Sequence, residues 1–150
     1  MLNDVPPEGF NTLRYIELKH GRVAMLAVTG YLVTAAGIRF PGCESIPDGI
    51  KAFTYISNQE WGGNVLMQML ATFAVLEIVN RDATGEAEFV GDFRNGYLDF
   101  GWDSFSDATK RSKRAIELNN GRAAQMGILA LVAHEALGVS ILPGGYLPGQ

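Results

Sequence analysis

Two segments of the sequence carry the same charged residues 100 positions apart. Residues 14–24 and 114–124 are identical at seven of eleven positions. The shared residues are Arg14/Arg114, Ile16/Ile116, Glu17/Glu117, Leu18/Leu118, Gly21/Gly121, Arg22/Arg122 and Ala24/Ala124. Within one copy, Glu and Arg are roughly 140° apart around a helix, so they cannot pair well with each other. The repeat offers partners across the copies, Glu17 with Arg122 and Glu117 with Arg22, and it predicts two helices related by a pseudo-two-fold axis.

The same segments carry side chains that could hold a hard metal ion. A carboxylate neutralised by an arginine keeps an oxygen lone pair that can bind Mg²⁺. His20 follows Glu17 by three residues and Asn120 follows Glu117 by three, so each pair shares a helix face. Four further polar candidates stand singly in or beside apolar stretches: Gln68, Glu77, Gln125 and His134.

The candidate ligands are scattered over the chain. A metal held by protein alone would gather its ligands at one point. If a macrocycle already fills the equatorial positions around the metal, the metal needs only one axial ligand from the protein. The sequence therefore predicts several Mg-tetrapyrroles, each on a single side chain. Two structural alternatives to ligand roles stay open. Gln125 could bridge two helices through a hydrogen bond, and His134 could form a hydrogen bond near Glu135.

Three stretches are poor in charge, at 23–38, 61–76 and 123–142. The first two are shorter than the ~20 residues that cross a bilayer unaided, so hydropathy alone would make them buried core helices. The paired charges upstream of the first and third stretches favour membrane helices instead of solvent-exposed helix starts, because charges in a membrane need partners. No strand-like alternation appears. We therefore expect an all-α membrane protein with three transmembrane helices, the first and third crossing.

The helix limits follow from local signals. The first helix is expected over about 11–38, with Asn11 or Thr12 as the N-cap and Gly37 at its end. A loop follows, with a short surface helix within 48–57. The second helix is expected over about 60–80. The third is expected over about 107–138, opened by Ser106 or Asp107.

The composition excludes several classes of protein. The 150 residues suit one domain over 1–150, and charged residues are 19% of them, below the roughly 25% of ordinary soluble domains. A net charge of −4 excludes a general nucleic-acid binder. The single cysteine, Cys43, cannot form a disulfide framework or, with two distant histidines, a recognisable zinc site. The 47% hydrophobic content excludes disorder.

The repeated motif resembles the two signature helices of the chlorophyll-binding light-harvesting superfamily. It reads Glu17-Leu-Lys-His-Gly-Arg-Val-Ala-Met in one copy and Glu117-Leu-Asn-Asn-Gly-Arg-Ala-Ala-Gln-Met in the other. The loop at 88–103 and the end of the third helix up to His134 are similar to the fucoxanthin–chlorophyll a/c proteins of diatoms. The resemblance implies three transmembrane helices, with the first and third locked by the reciprocal Glu–Arg pairs.

The resemblance also implies a function and a set of ligands. The protein would be a light-harvesting antenna rather than an enzyme, with chlorophyll a, chlorophyll c, fucoxanthin and a diadinoxanthin-type carotenoid bound. The positions that match chlorophyll ligands of the family are Glu17, His20, Gln68, Glu77, Glu117, Asn120, Gln125 and His134. Among them, His20 and Gln125 match positions associated with chlorophyll c. The implied partners are other antenna subunits in a homo- or hetero-oligomer, a photosystem and thylakoid lipids, with no nucleic acid.

The basic residues suggest an orientation in the plastid thylakoid membrane. Arg14 and Lys19 precede the first helix, and a second cluster at 110–114 precedes the third. A second helix that returns through the membrane places both clusters on one side, and basic clusters favour the face that is not translocated. The N-terminus is therefore expected in the stroma.

Two other functions remain open at this stage. A family member could arrange the same pigments to dissipate energy, although the chlorophyll c-type features favour harvesting. A membrane enzyme or transporter could use intramembrane acids as proton relays. Against that reading, the acids lie near helix ends beside arginines, and no nucleophile–base pair or phosphate loop is present.

Overall fold

The computed structural model describes residues 7–85, 87–97 and 99–145, and for Pro7 only the backbone. Within these ranges the regular elements are α1 (Pro7–Ala35), α2 (Lys51–Ser57), α3 (Gly62–Val79), α4 (Asp107–Leu137) and two short 3-10 turns, Trp102–Ser104 and Pro143–Gly145. The described residues contain no strand. The all-α prediction is confirmed, and so is the short helix between the first two long ones.

The predicted start of the first helix is wrong. The helix begins at Pro7 rather than at residue 11, because proline has a preset φ and lacks only an N–H that the first turn would leave unpaired. Neither Asn11 nor Thr12 is an N-cap, since both lie inside the helix. The Thr12 hydroxyl donates to the Glu8 carbonyl at 3.0 Å, a bond made within a continuous helix. The helix ends at Ala35, three residues before the predicted limit.

The other two long helices lie close to their predicted limits. α3 is two residues later at its start and one residue earlier at its end than expected. Ser106 is the N-cap of α4, and its side chain accepts a hydrogen bond from the Thr109 amide at 3.4 Å. Hydroxyl side chains favour this position because they satisfy an amide that the first turn leaves unpaired. Gly138 closes the helix after Leu137.

The helices α1 and α4 cross at two glycines. A Cβ atom added to Gly21 would lie 2.9 Å from the Gly121 Cα atom, so only the absence of side chains allows this approach. Ala24 and Leu131 are the buried apolar side chains among the described residues. Extensive helix contact in the described chain is confined to α1 with α4 and to α2 with α3. The two helices of the sequence repeat therefore form the centre, and α3 stands beside them.

Most large apolar side chains point outward. Leu26 of α1 is 76% exposed and Met126 of α4 is 69% exposed. Along α3, every residue from Met67 onward is exposed. Of the helices in the described part of the chain, α3 is the one whose length and composition suit a membrane crossing. Soluble monomers rarely expose so much continuous apolar surface, so these faces need partners other than water.

Candidate functional site

Two ion pairs join α1 to α4. Arg22 Nε donates to Glu117 Oε1 at 2.7 Å, and Arg122 Nε donates to Glu17 Oε1 at 2.7 Å. These are the two reciprocal pairs that the repeat predicts. Each carboxylate uses one oxygen for its arginine, and no partner of the other oxygen is recorded among the described residues. An arginine that neutralises one oxygen leaves the second able to bind a metal ion.

The two pairs differ in their surroundings. Arg22 also donates from Nη1 to the Gly91 carbonyl at 2.8 Å, and its guanidinium lies 5.5 Å from the centre of the Phe93 ring. The side chain of Arg22 is 32% exposed, whereas that of Arg122 is 56% exposed. Arg22 therefore holds three segments together, α1, α4 and the loop before α4, while Arg122 joins only two helices.

The imidazole of His20 is oriented by its own helix. Nδ1 lies 2.8 Å from the carbonyl oxygen of Ile16, one turn earlier. Because a carbonyl can only accept a hydrogen bond, Nδ1 carries the proton, and in the neutral ring Nε2 then has a free lone pair. This is the arrangement in which a histidine binds a metal through Nε2 while the other nitrogen fixes the ring.

His20 and Gln125 share an apolar groove between α1 and α4. The groove has a volume of about 680 Å³ and is lined mainly by apolar residues, including Val23, Ala27 and Leu129. Gln125 Nε2 donates to the Glu17 carbonyl at 3.4 Å, so the hydrogen bond between helices that was the alternative role of Gln125 is present. This bond uses the amide nitrogen and leaves the amide oxygen as a possible ligand.

The candidate ligands of α3 lie apart from the crossing. Gln68 is exposed, and no hydrogen bond of its side chain is recorded within the described ranges. Glu77 is also exposed and forms an ion pair with Lys19 of α1. Lys19 was not predicted as a partner of Glu77. The repeat does contain a signal for it, since the second copy has the uncharged Asn119 where the first has Lys19. Asn120 of α4 is exposed.

His134 lies near the far end of α4 and is partly buried. Its Nδ1 atom is buried, and no hydrogen-bond partner for it is found in the described part of the chain. The neighbouring Glu135 instead accepts hydrogen bonds from the Tyr31 hydroxyl and the Ile50 amide, both at 2.9 Å. A buried imidazole nitrogen without a partner is costly, so the site fits a ligand from outside the chain.

Glu135 ties α4 to α1 and to the start of α2. A Cβ atom added to Gly49 would lie 2.3 Å from Glu135 Oε2, and Gly49 has a φ of +66°. Glycine is therefore required for the carboxylate to reach the Ile50 amide. Arg39 and Asp48 form a further ion pair within the same loop. The sequence offered a signal for this tie, because Glu135 is the one carboxylate that interrupts the charge-poor stretch at 123–142.

Arg94 organises the loop before α4. Its guanidinium donates to Asp92 at 2.7 Å, to Asp99 at 2.9 Å and to Asp103 at 3.2 Å. The hydrogen bond from Arg94 is the main reason that the pKa of Asp92 falls from 3.8 to about 2. Glu88 accepts from the Trp102 indole N–H at 2.8 Å, which lowers the pKa of that carboxyl. Arg94 thus holds three aspartates together, and the loop forms a structural cap beside the Glu117–Arg22 pair.

No group of three or more metal-ligating side chains is found among the described residues. The candidate ligands are distributed over α1, α3 and α4, and His20 and Gln125 share one groove. A family model described as chlorophyll A-B binding protein matches residues 1–136 of the chain. The chain belongs to the chlorophyll a-b binding protein family. Chain-wide similarity to individual members agrees with this assignment.

Three relatives show how far the similarity extends. The chain is 57% identical over 148 residues to fucoxanthin-chlorophyll a-c binding protein D, chloroplastic, of Phaeodactylum tricornutum, which covers 95% of this chain and 74% of that protein. It is 55% identical to protein E of the same organism, with the same coverage. It is 51% identical to the fucoxanthin-chlorophyll a-c binding protein of Trieres chinensis, over 94% of this chain and 73% of that one.

Membership of the chlorophyll a-b binding family confirms the main predictions about function. Proteins of this family are membrane-bound, light-harvesting pigment binders and not enzymes. The names of the three relatives include both fucoxanthin and chlorophyll, and describe them as chloroplastic. The proton-relay enzyme or transporter that the sequence left open is therefore excluded.

Proposed function

We propose that this chain is an antenna protein of the plastid thylakoid membrane that binds chlorophyll a, chlorophyll c and fucoxanthin. The observation that carries the proposal is the placement of single polar side chains on helices whose apolar faces point outward. Bound pigments would supply the absorption of visible light and the transfer of excitation energy to a photosystem. The chain's own residues would hold those pigments at fixed positions.

The donor atoms present fit the Mg of chlorophyll. Glu17 and Glu117 each accept a hydrogen bond from an arginine through one oxygen. Each Glu–Arg pair then has no net charge, and the second carboxylate oxygen can bind Mg²⁺. His20 has its Nδ1 proton committed to the Ile16 carbonyl, which frees Nε2. The remaining proposed axial ligands are Gln68, Glu77, Asn120, Gln125 and His134. We assign chlorophyll c to the groove that His20 and Gln125 share.

The Glu–Arg pairs have a second role in this proposal, as a brace between α1 and α4. In a low-dielectric surrounding, an isolated charge is costly, and each arginine removes that cost for the opposite glutamate. The brace and the Gly21–Gly121 contact act at one crossing, so they define the angle and register of α1 on α4. Proposed ligands on both helices depend on that register.

We further propose that α1, α3 and α4 all cross the membrane within a single domain over 1–150, with α1 and α4 as a pseudo-two-fold repeat. The charged first halves of α1 and α4 lower their average hydropathy, but the four charges at the crossing form two ion pairs between the helices. The cluster of basic residues at the start of α4 supports a stromal position for that end and for the N-terminus.

The outward apolar faces suggest what surrounds the helices. Fucoxanthin and a diadinoxanthin-type carotenoid are long apolar molecules that suit apolar grooves beside the helices, such as the one lined by Val33, Ile38 and Phe40. The exposed α3 has room for pigments, thylakoid lipids and neighbouring antenna subunits. We propose that the chain works in a homo- or hetero-oligomer that passes energy to a photosystem.

Purification of the protein from its native membrane tests this proposal. Quantitative pigment extraction should give chlorophyll a, chlorophyll c and fucoxanthin in fixed ratios to the polypeptide. Excitation in the fucoxanthin band should produce chlorophyll a fluorescence, since energy passes between pigments held close together. Purified protein without bound chlorophyll would overturn the proposal. A strongly shortened lifetime of chlorophyll fluorescence in the isolated protein would instead indicate a quenching role.

A further inference from the structure

Lys19 forms an ion pair with Glu77 that joins α1 to α3. Its ammonium group also lies 5.7 Å from the centre of the Tyr15 ring, one turn earlier on α1. Within the described residues, no other hydrogen bond or ion pair between α1 and α3 is recorded. We infer that Lys19 is a positioning residue, which holds α3 beside α1 and orients the Glu77 carboxylate as a chlorophyll ligand.

The repeat shows why α3 lies beside α1 rather than beside α4. The second copy of the motif has Asn119 at the position that corresponds to Lys19. Asparagine carries no charge, so α4 has no equivalent cation for Glu77. The extensive contacts of α3 are with the short helix α2, so the ion pair with Lys19 is the specific polar contact recorded between α3 and α1 within the described residues.

Lys19 gives Glu77 a cationic partner on another helix, as the arginines do for the other two carboxylates. Glu17 and Glu117 each accept from an arginine on another helix through one oxygen, and Glu77 accepts from Lys19 through Oε2. A cation on one oxygen fixes the orientation of the carboxylate, which is the usual role of groups that hydrogen-bond to a metal ligand. This part of the inference rests on the proposed chlorophyll-binding function.

A second cation lies nearer in the sequence but does not pair with Glu77. Arg81 is four residues later, the spacing of a favourable pair within a helix. However, α3 ends at Val79, so Arg81 lies outside the helix. No ion pair between Arg81 and Glu77 is recorded in the structure. Arg81 is therefore a matched control for Lys19.

Reconstitution with pigments tests the effect on chlorophyll. We expect Lys19→Gln to bind chlorophyll at Glu77 roughly 10- to 100-fold more weakly, which removes about one chlorophyll per polypeptide. Lys19→Arg should keep it, because arginine supplies the charge, and Arg81→Gln should bind as the unmodified protein does. Full chlorophyll content in Lys19→Gln, or an equal loss in Arg81→Gln, would overturn the inference.

A distance measurement separates the position of α3 from pigment binding. Spin labels at positions 26 and 70, in a Cys43→Ser background, report the distance between α1 and α3 by pulsed electron paramagnetic resonance. Lys19→Gln should broaden the distance distribution, and the exchanged pair Lys19→Glu with Glu77→Lys should narrow it again while the chlorophyll stays absent. An unchanged distribution in Lys19→Gln would overturn the positioning role. Absence of chlorophyll from the unmodified protein would contradict the proposed function and leave this distance test valid.

Discussion

Gly21 of α1 and Gly121 of α4 meet where the two helices cross, and a Cβ atom on Gly21 would lie 2.9 Å from the Gly121 Cα atom. The crossing brings together the two reciprocal Glu–Arg pairs, so the backbone approach and the charge pairing depend on each other. A change at either glycine should therefore act on both proposed carboxylate ligands at once.

Gly21→Ala should prevent the close approach, because the new methyl group meets backbone that cannot move aside. We expect a lower yield of pigmented protein and a lower melting temperature. Gly30→Ala in the same helix is the control, since nothing lies within 4 Å of its added Cβ and alanine favours a helix by about 1 kcal/mol over glycine. Equal yields and melting temperatures for the two variants would contradict the proposed crossing.

Arg22→Leu should be more damaging than Arg122→Leu. Both changes leave a glutamate without its counter-charge, which costs about 3–5 kcal/mol when the pair is buried. Arg22 is the less exposed of the two and also holds the Gly91 carbonyl. The measurement is the fraction of polypeptide that refolds with pigments, for both variants under identical conditions. A larger defect in Arg122→Leu would show that the contact with the loop contributes little.

The sequence predicted the contacts between α1 and α4 better than the contacts of the other segments. The charges of the repeat required partners, and the arrangement with Glu17 opposite Arg122 follows from symmetry alone. The close contact of Gly21 with Gly121 could not be predicted with the same certainty, because glycine at a repeated position is equally compatible with a turn or a helix end.

Most of the missed features depend on tertiary contacts. The partner of Glu77 is Lys19, 58 residues earlier, and nothing local distinguishes it from the nearer Arg81. The start of α1 at Pro7 was missed because Asn11 and Thr12 are stronger local capping signals than a proline. The tie from Glu135 to the Ile50 amide requires a loop to fold back onto two helices, so the isolated carboxylate was a signal for Glu135 but not for its partners.

Gly49→Ala should displace the start of α2. The added methyl group would lie 2.3 Å from the Glu135 carboxylate and would force that side chain away from the Ile50 amide. Gly42→Ala is a matched control, because Gly42 also has a positive φ, +85°, but nothing lies within 4 Å of its added Cβ. Hydrogen exchange of the amides at 50–57, measured by mass spectrometry, should be faster in Gly49→Ala than in Gly42→Ala. Equal exchange would mean that Glu135 does not hold α2.

The loop before α4 should resist acid through Asp92. Because the pKa of Asp92 is about 2 in the folded protein and 3.8 ordinarily, its stabilisation is complete at pH values above about 4 and is lost as the pH falls through about 2. Asp92→Asn should therefore speed hydrogen exchange at 87–97 near neutral pH, with the difference from the unmodified protein disappearing at the acid end. Asp107→Asn, at the exposed start of α4, is the control. A difference that persists below pH 2 would contradict this assignment.

We propose that single side chains hold the chlorophylls, and that some of those side chains also brace the helices. His134 and Glu117 separate the two roles, because Glu117 is bonded to Arg22, whereas the buried Nδ1 atom of His134 has no hydrogen-bond partner among the described residues. The most direct test measures chlorophyll per polypeptide and assembly yield for His134→Ala and Glu117→Ala, reconstituted side by side with the same pigments. His134→Ala should lose about one chlorophyll and assemble normally, since no buried charge is left unpaired, whereas Glu117→Ala should lower assembly as a whole. Equal pigment loss with equal assembly defects would contradict the account.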